Sequence, residues 1–299
     1  MVNNALPTLS ILVPNGWKDY ELLDSGNGRK LERYGPYTLI RPEHRAIWQP
    51  GLSEKLWAGA HAEFLPTSDE SGGTWHFNRQ VEPAWVLGYK GLHFYAQLTN
   101  SRHMGFFPEQ ASLWDWIDDQ VKRANRPLRV LNLFAYTGLA SLVAARAGAL
   151  VTHVDASRRS VQTAKENQTL SALEDRPVRW IVDDVLKFVA REVRRGSQYD
   201  GILLDPPKFG RGPSGQVWDF HQSLPVLLSH CRKLLSPDPC FIAITAYAIQ
   251  LSSISIYNVL KETVSGLSGS VNAGELGLIE KSSGRCLVTA LFSSWSKNL

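Results

Sequence analysis

Apolar positions follow two different rhythms along this chain. Up to about residue 110 they come in short runs broken by turn residues: Tyr37-Thr-Leu-Ile40, Ala84-Trp-Val-Leu87 and Leu92-His-Phe-Tyr95. Such runs predict a small β-rich domain over residues 1–110. Ser68-Asp-Glu-Ser-Gly-Gly73 is expected to be a hairpin loop between Glu63-Phe-Leu65 and Thr74-Trp-His-Phe77. From Gly105 the pattern changes. Ser112-Leu-Trp-Asp-Trp-Ile117 has helical spacing and runs into the basic segment Lys122-Arg-Ala-Asn-Arg-Pro127, which places a domain junction here and a second domain over 111–299.

In that second domain, apolar runs at 129–134, 150–155, 178–182, 201–204, 241–245 and 286–292 alternate with helical stretches. A parallel strand is covered on both faces, so it is apolar throughout and does not alternate. The alternation predicts an α/β fold, a Rossmann-like doubly wound sheet with ligands bound beyond the strand C-termini. Its opening stretch is Leu128-Arg-Val-Leu-Asn-Leu-Phe-Ala-Tyr-Thr-Gly138. Val130, Leu131, Leu133 and Phe134 supply a strand, and Ala135, Thr137 and Gly138 a loop small enough for backbone N–H groups to approach a ligand. Leu139 to Ala147 continues as a helix, with Gly148 suited to its C-terminal end.

The acids at the following strand ends change the picture from fold to chemistry. Asp155, with Ala156 beside it, ends the second strand roughly 20 residues after the first loop, where a carboxylate can accept both hydroxyls of a ribose. The same side chain also suits a helix cap. The third strand ends in Asp183-Asp-Val185, where Asp184 could accept from an adenine amino group with Val185 or Ile181 against the ring, and one of the two acids caps the next helix. No Gly-x-Gly-x-x-Gly fingerprint is present, which argues against a pyrophosphate-containing dinucleotide and in favour of S-adenosylmethionine. The fourth strand leads into Leu204-Asp-Pro-Pro-Lys-Phe209. Two prolines hold that turn extended. Asp205, Pro206 and Pro207 can then aim acceptors at a planar amine or amide, with Phe209 as a stacking face. Gly210 to Gly215 is expected to be a mobile loop that closes over substrate, with Lys208 and Arg211 available to phosphates.

Composition adds limits. A net charge of +4 is compatible with an RNA partner without requiring one. Arg29, Lys30, Arg33, Arg41 and Arg45, interleaved with Tyr34, Tyr37 and Trp48, could form a charged, stacking surface, or simply clothe an aromatic core. Cys231, Cys240 and Cys286 are odd in number and lack metal-ligand spacing, so neither zinc nor a disulfide framework is expected and a reducing cytoplasm fits. No apolar run approaches bilayer length.

Residues from about 105 to 250 resemble the bacterial large-subunit ribosomal RNA methyltransferases that include a cytosine-C5 and a guanine-N7 enzyme. The matching segments are Leu131-Asn-Leu-Phe-Ala-Tyr-Thr-Gly138, Val182-Asp-Asp-Val-Leu-Lys-Phe188 and Leu204-Asp-Pro-Pro-Lys-Phe209. The resemblance implies that Asn132, Phe134 and Tyr136 line the cofactor, that Asp155 and Asp184 bind its ribose and adenine, and that Asp205 to Phe209 form the base pocket. It also implies that residues before 105 correspond to the family's middle β-domain, with no additional N-terminal RNA-binding domain of the PUA type.

Two departures bear on the chemistry. His103-Met-Gly-Phe-Phe-Pro-Glu-Gln110 stands where the family carries Lys-Thr-Gly-Phe-Phe and then Asp-Gln-Arg. Ile244-Thr-Ala-Tyr-Ala-Ile249 stands where cytosine-C5 members place a cysteine between two serines. Pyrimidine C5 becomes nucleophilic only after a thiolate adds at C6, so methylation of a nitrogen or oxygen of structured RNA is expected, with Tyr247 as a second stacking residue and no metal. Methyl transfer to a protein or small molecule, and a non-catalytic RNA-assembly role, are the alternatives.

Overall fold

The computed structural model describes residues 6–67, 72–212 and 215–297. Residues 68–71 of the expected hairpin loop, residues 213 and 214, and the side chain of Arg211 lie outside that description. In chain order the elements are β1 (Leu9–Leu12), β2 (Tyr20–Gly26), β3 (Arg29–Tyr34), β4 (Tyr37–Pro42), α1 (Glu54–Ala58), β5 (Ala62–Pro66), β6 (Gly73–Phe77), β7 (Ala84–Tyr89), β8 (Leu92–Gln97) and α2 (Ala111–Arg123). They continue with β9 (Arg129–Leu133), α3 (Leu139–Arg146), β10 (Leu150–Asp155), α4 (Arg158–Leu170), β11 (Val178–Val182), α5 (Val185–Arg194), β12 (Gly201–Leu204), β13 (Phe209–Arg211), β14 (Val217–Asp219) and α6 (Phe220–Leu234). Last come β15 (Phe241–Tyr247), α7 (Ser253–Thr263), β16 (Ser270–Ile279) and β17 (Cys286–Ser296).

These elements form two compact units, neither of them contiguous. One comprises Val13–Ser112 with Gly277–Thr289, the other Met1–Leu12, Leu113–Leu276 and Ala290–Leu299. The expected cut at 110/111 falls beside the step at 112/113, and two excursions lie outside it. The first arises because β1 adds to the large sheet in parallel with β16, pairing Leu9 with Ala273 and Leu12 with Leu276. Gly274 permits this approach, since a Cβ there would overlap the Ser10 carbonyl.

The larger unit is built on a sheet of order β1-β16-β17-β15-β12-β9-β10-β11. From β15 to β11 all neighbours are parallel, while β17 runs antiparallel to β15. The chain therefore reverses its direction of winding between β9 and β12, the switch point beyond which doubly wound sheets bind ligands. Leu131, Leu133, Ile202, Leu204, Ile242 and Ile244 from the central strands pack with Phe188, Phe220 and Leu227 from the helices. Each such side chain contributes about 1.5–3 kcal/mol on burial. α6 packs through Phe220, Leu224, Leu227, Leu228 and Cys231, a spacing that follows the helical period.

The smaller unit contains the five-stranded sheet β2-β3-β4-β5-β6 and the β7-β8 hairpin. Here the expectation of a charged surface needs correction. Tyr34 is fully buried, and Lys30 and Arg41 are almost so. The reason is Glu32, which lies inside at 0% exposure. Arg41 grips it with two bonds, Nε to Oε2 at 2.7 Å and Nη2 to Oε1 at 2.8 Å, and Tyr20 donates at 2.8 Å. Lys30 Nζ stands 3.7 Å from Glu32 and 3.6 Å from Glu43. Burial alone would raise the Glu32 carboxyl, but the Arg41 and Lys30 charges hold it at about 2. The guanidinium, in turn, is held above its ordinary value, with Glu32 outweighing the cost of burial. His103, the departure noted from sequence, is neutral in this setting: burial and the nearby Arg41, Arg102 and Lys30 push its imidazole down to about 3.

Candidate active site

The strand ends of the larger unit bring most of the expected residues together. Register places Leu133 beside both Val154 and Leu204, and Leu204 beside Ile244, so Phe134, Asp155, Asp205 and Thr245 emerge from adjacent strand ends. The loop after β9 is sharply turned: Phe134 and Tyr136 have φ of 56° and 48°, and Gly138 has 89°. A Cβ on Gly138 would lie 2.7 Å from Ala164 Cβ, so only glycine lets α3 start this close to α4.

Asp155 is half-buried and organises that loop. Its Oδ2 accepts from Tyr136 N at 2.8 Å and its Oδ1 from Ser157 N at 2.8 Å. Burial pushes its carboxyl above the ordinary value, and the two backbone donors act against that. The cap of α4 is Ser157, whose hydroxyl accepts from Ser160 N at 3.1 Å, so Asp155 is not spent as a side-chain helix cap. A carboxylate has about four lone-pair sites. Two therefore remain for hydroxyl donors, which is what a ribose requires. Ala135 is buried, Ala156 half-buried, and Thr137 offers its carbonyl to Asn167 Nδ2 at 3.0 Å.

Asn132 does not fit the role expected of it. It is 3% exposed and donates Nδ2 to Ser141 Oγ at 2.9 Å, and Ser141 bonds His153 Nδ1 at 3.0 Å, a buried polar chain beneath the loop. Burial lowers the His153 imidazole to about 3. The unfolded chain, with an ordinary histidine near 6.5, thus binds a proton more readily than the folded one. Stability is present above that value and lost as pH falls, by about 2 kcal/mol at pH 5. Urea unfolding of wild type and His153→Phe at about pH 7.5 and about pH 5 checks this. The variant should lose correspondingly less between them, and equal losses would sink the assignment.

At the end of β11, Asp184 is the cap of α5 and accepts from Lys187 N at 2.9 Å through Oδ1. Its Oδ2 lies 2.9 Å from where a Cβ on Gly212 would stand, so the chain beyond β13 passes close over it. Asp183 accepts from Asp184 N at 2.8 Å and pairs with Arg191. Val185 is turned into the core cluster and Ile181 packs against it, which removes Val185 from the expected ring contact.

Beyond β12, Asp205 N reaches Leu133 O at 3.3 Å, and the Thr245 hydroxyl donates to Asp205 Oδ1. Pro206 is buried, whereas Pro207 and Lys208 are exposed. Phe209 is 56% exposed, as a stacking face must be. The loop expected over 210–215 begins and ends in a hairpin, since β13 pairs antiparallel with β14 from Phe209–Asp219 to Arg211–Val217. Trp218 on β14 donates Nε1 to Pro207 O at 2.7 Å and meets the Phe134 ring edge-on at 4.7 Å. It ties the Pro-Pro turn to the first loop. Sequence reasoning passed over both Trp218 and Thr245. An aromatic two residues before the helix start at Phe220 was the available sign of the first, and a hydroxyl toward the end of an otherwise apolar strand that of the second.

Tyr247 is a further correction. It packs against Leu113, Leu276, Ala290 and Phe292, on the β17 side, and is not presented as a second stacking face. The cysteines lie elsewhere: burial raises the Cys231 thiol to about 12 and also raises that of Cys240, and neither is a ready thiolate. Among the described residues no group of three or more His, Cys, Asp or Glu could hold a metal ion. No helix among them is long and apolar enough to cross a membrane.

A parallel α/β sheet with a tight first loop, a half-buried acid at the second strand end and an Asp-Pro-Pro turn at the fourth defines an enzyme fold that takes a nucleoside-bearing cofactor without phosphates. A model of the S-adenosylmethionine-dependent methyltransferases matches residues 62–265, and the chain belongs to that family. A crystal structure of an S-adenosylmethionine-dependent methyltransferase from Agrobacterium tumefaciens superposes with TM-score 0.92 at 48% identity, covering 97% of this chain and 95% of that one. Ribosomal RNA large subunit methyltransferase I of Shewanella denitrificans is 42% identical over 132 residues, 43% of this chain and 32% of that protein. Ribosomal RNA large subunit methyltransferase K/L of Shewanella frigidimarina is 34% identical over 229 residues, 70% of this chain and 31% of that protein. The matches with these two curated relatives thus span about a third of each relative's length.

Proposed function

We propose that this protein methylates a nitrogen of a nucleobase in structured RNA, with ribosomal RNA as the substrate and the cytoplasm as its place of action. The observation that carries the reading is the Asp205-Pro206-Pro207 turn, set beside the Asp155 loop on neighbouring strand ends and followed by the exposed ring of Phe209. Similarity to the two ribosomal RNA methyltransferases supports the choice of acceptor.

S-adenosylmethionine supplies a methyl group on a sulfonium, electrophilic enough to need no metal. Asp155 holds the ribose hydroxyls through its two remaining lone-pair sites, Phe134, Ala135, Tyr136, Thr137 and Gly138 shape the floor, and the second oxygen of Asp184 takes the adenine amine, with Asp183 held beside it by Arg191. Asp205 accepts a hydrogen bond from the base and fixes its nitrogen in line, which is most of what this transfer asks of a protein. Phe209 stacks on the base, and Lys208 meets phosphates. The absence of a reactive thiol at these strand ends favours nitrogen over pyrimidine C5. The β-rich residues 1–110 serve in RNA binding.

Transfer of labelled methyl to total RNA from cells lacking the protein, followed by nucleoside digestion and mass identification, tests this directly. One N-methylated nucleoside is expected. Formation of 5-methylcytidine would overturn the argument from the thiols, and label in protein with none in RNA would overturn the acceptor class.

A further inference from the structure

The Asp205-Pro206-Pro207-Lys208 turn is held by the strand and helix that follow it. Trp218, on β14 and only 6% exposed, donates its indole Nε1 to the Pro207 carbonyl at 2.7 Å. One residue further on, the Lys208 carbonyl accepts from Phe220 N at 3.1 Å. The hairpin register sets Trp218 opposite Gly210, where a Cβ would lie 3.4 Å from Pro207 Cγ and 3.8 Å from Trp218 Cβ. An indole has one proton to give, and the turn takes it.

The same indole meets the first loop. Its ring stands edge-on to Phe134, with centroids 4.7 Å apart and planes at 62°. Phe134 leaves β9 with φ of 56°. A bulky L residue in the left-handed region is strained, and it persists there only where its surroundings over-determine it. Phe134 packs against the core cluster that contains Trp218, so the indole is part of those surroundings.

We infer that Trp218 is a positioning residue for methyl transfer: its N–H fixes the acceptor turn and its ring braces the strained Phe134, so that filling the cofactor site sets the turn for the acceptor. The inference rests on the reading of Asp205 to Phe209 as the acceptor pocket and of residues 134–138 as the cofactor floor. Three features favour it over a merely structural tryptophan. A leucine or phenylalanine would fill this part of the core as well; the indole adds a donor, and that donor is spent on the turn itself. The carbonyl it holds belongs to a proline, whose φ is already fixed, so anchoring that oxygen removes the freedom left in ψ. The two contacts fall on the loops after β9 and β12, neighbouring strands whose ends the proposed transfer joins.

The test uses the full chain, with ribosomal RNA from a strain lacking the protein as acceptor. Trp218→Phe keeps an aromatic ring and removes the donor; kcat should fall by about 10- to 100-fold as the turn loses its alignment. KM for RNA and affinity for S-adenosylhomocysteine should stay within about twofold of wild type. Trp218→Leu removes the ring as well and should also weaken S-adenosylhomocysteine by about 5- to 10-fold, because Phe134 loses its brace. A second measurement is made on the wild-type sequence with fluorotryptophan incorporated. The Trp218 fluorine resonance, identified as the one missing from Trp218→Phe, should move when S-adenosylhomocysteine is added. Wild-type kcat in Trp218→Phe, or a loss of kcat matched by an equal loss of cofactor affinity, overturns the positioning role. A resonance unmoved by S-adenosylhomocysteine overturns the link to the cofactor loop. Should the wild-type protein transfer no methyl to RNA, the acceptor reading fails and the role at the turn with it, while the fluorine shift still decides the link to the cofactor loop.

Discussion

Asp205→Ala is expected to reduce methyl transfer to RNA by about 1,000-fold while changing affinity for S-adenosylhomocysteine by less than about tenfold. The split follows from where the carboxylate sits. Asp205 leaves the end of β12 with its backbone tied to Leu133 O and one oxygen tied to Thr245. In the proposed reading Asp205 meets the acceptor, whereas the cofactor's sugar is assigned to Asp155, on another strand. Since the cofactor's methyl is intrinsically reactive, the chain accelerates transfer chiefly by alignment, and removal of the aligning group is felt in kcat. Isothermal titration with S-adenosylhomocysteine, together with single-turnover methyl transfer, separates the two quantities. A variant that retained more than a tenth of the wild-type rate would show that the turn does not orient the base. Equal collapse of rate and cofactor affinity would place Asp205 with the cofactor alone.

The second large effect lies in the smaller unit. Arg41→Leu leaves Glu32 at 0% exposure with Lys30 3.7 Å away as its nearest cation. The guanidinium supplies two bonds to that carboxylate and a third, from Nη1, to the Arg102 carbonyl at 2.6 Å. An isolated buried carboxylate must be protonated or must draw water in, and breaking such a pair costs about 3–5 kcal/mol. Hydrogen exchange in β2, β3 and β4 should accelerate correspondingly. The double variant Glu32→Leu with Arg41→Leu should recover much of the loss, because the expensive term is the unpaired charge and not the missing attraction. If Arg41→Leu were as stable as wild type, the pair would be a bystander of the fold.

The same charges explain why part of the chain was harder to read than the rest. β10 and β12 were legible to the residue because each is a largely apolar run bounded by acids or a glycine, as strands covered on both faces require, and β11, the edge strand with Arg179 and Val182 exposed, was set off by Pro177 and Asp183. β3 was not, since Arg29, Lys30, Glu32 and Arg33 are the pattern of a solvated strand. Lys30 and Glu32 lie inside, neutralised together with Arg41 and Glu43, so polarity no longer marks the outer face. β1 and β16 were missed for another reason: one is only Leu9–Leu12 with prolines at 7 and 14, and the other has glycines at 274 and 277. What stabilises them is pairing at long sequence separation, which no local window contains. At the site, the Asp155 and Asp205 positions could be located because strand ends are fixed by pattern. Side-chain direction could not. Asn132 points to Ser141 and Tyr247 to the β17 side, and each choice is made by packing partners from elements far along the chain.

The non-contiguous make-up of the smaller unit has a consequence for how the protein comes into being. Ser25 bonds Glu280, Asp24 accepts from Ser282 Oγ at 2.7 Å, and Lys281 N reaches Leu22 O at 2.9 Å, all across more than 250 residues of chain. During synthesis, β2 leaves the ribosome long before these partners exist. Asp24 and Ser25, both at 0% exposure in the finished molecule, must wait in a partly built sheet while the whole of the larger unit's parallel core is translated. Closures of such long loops form late and slowly. Ribosome-bound chains stalled at residue 270 should therefore hold β2 open to proteolysis, and emergence of residues 277–289 should act as the latch that closes it.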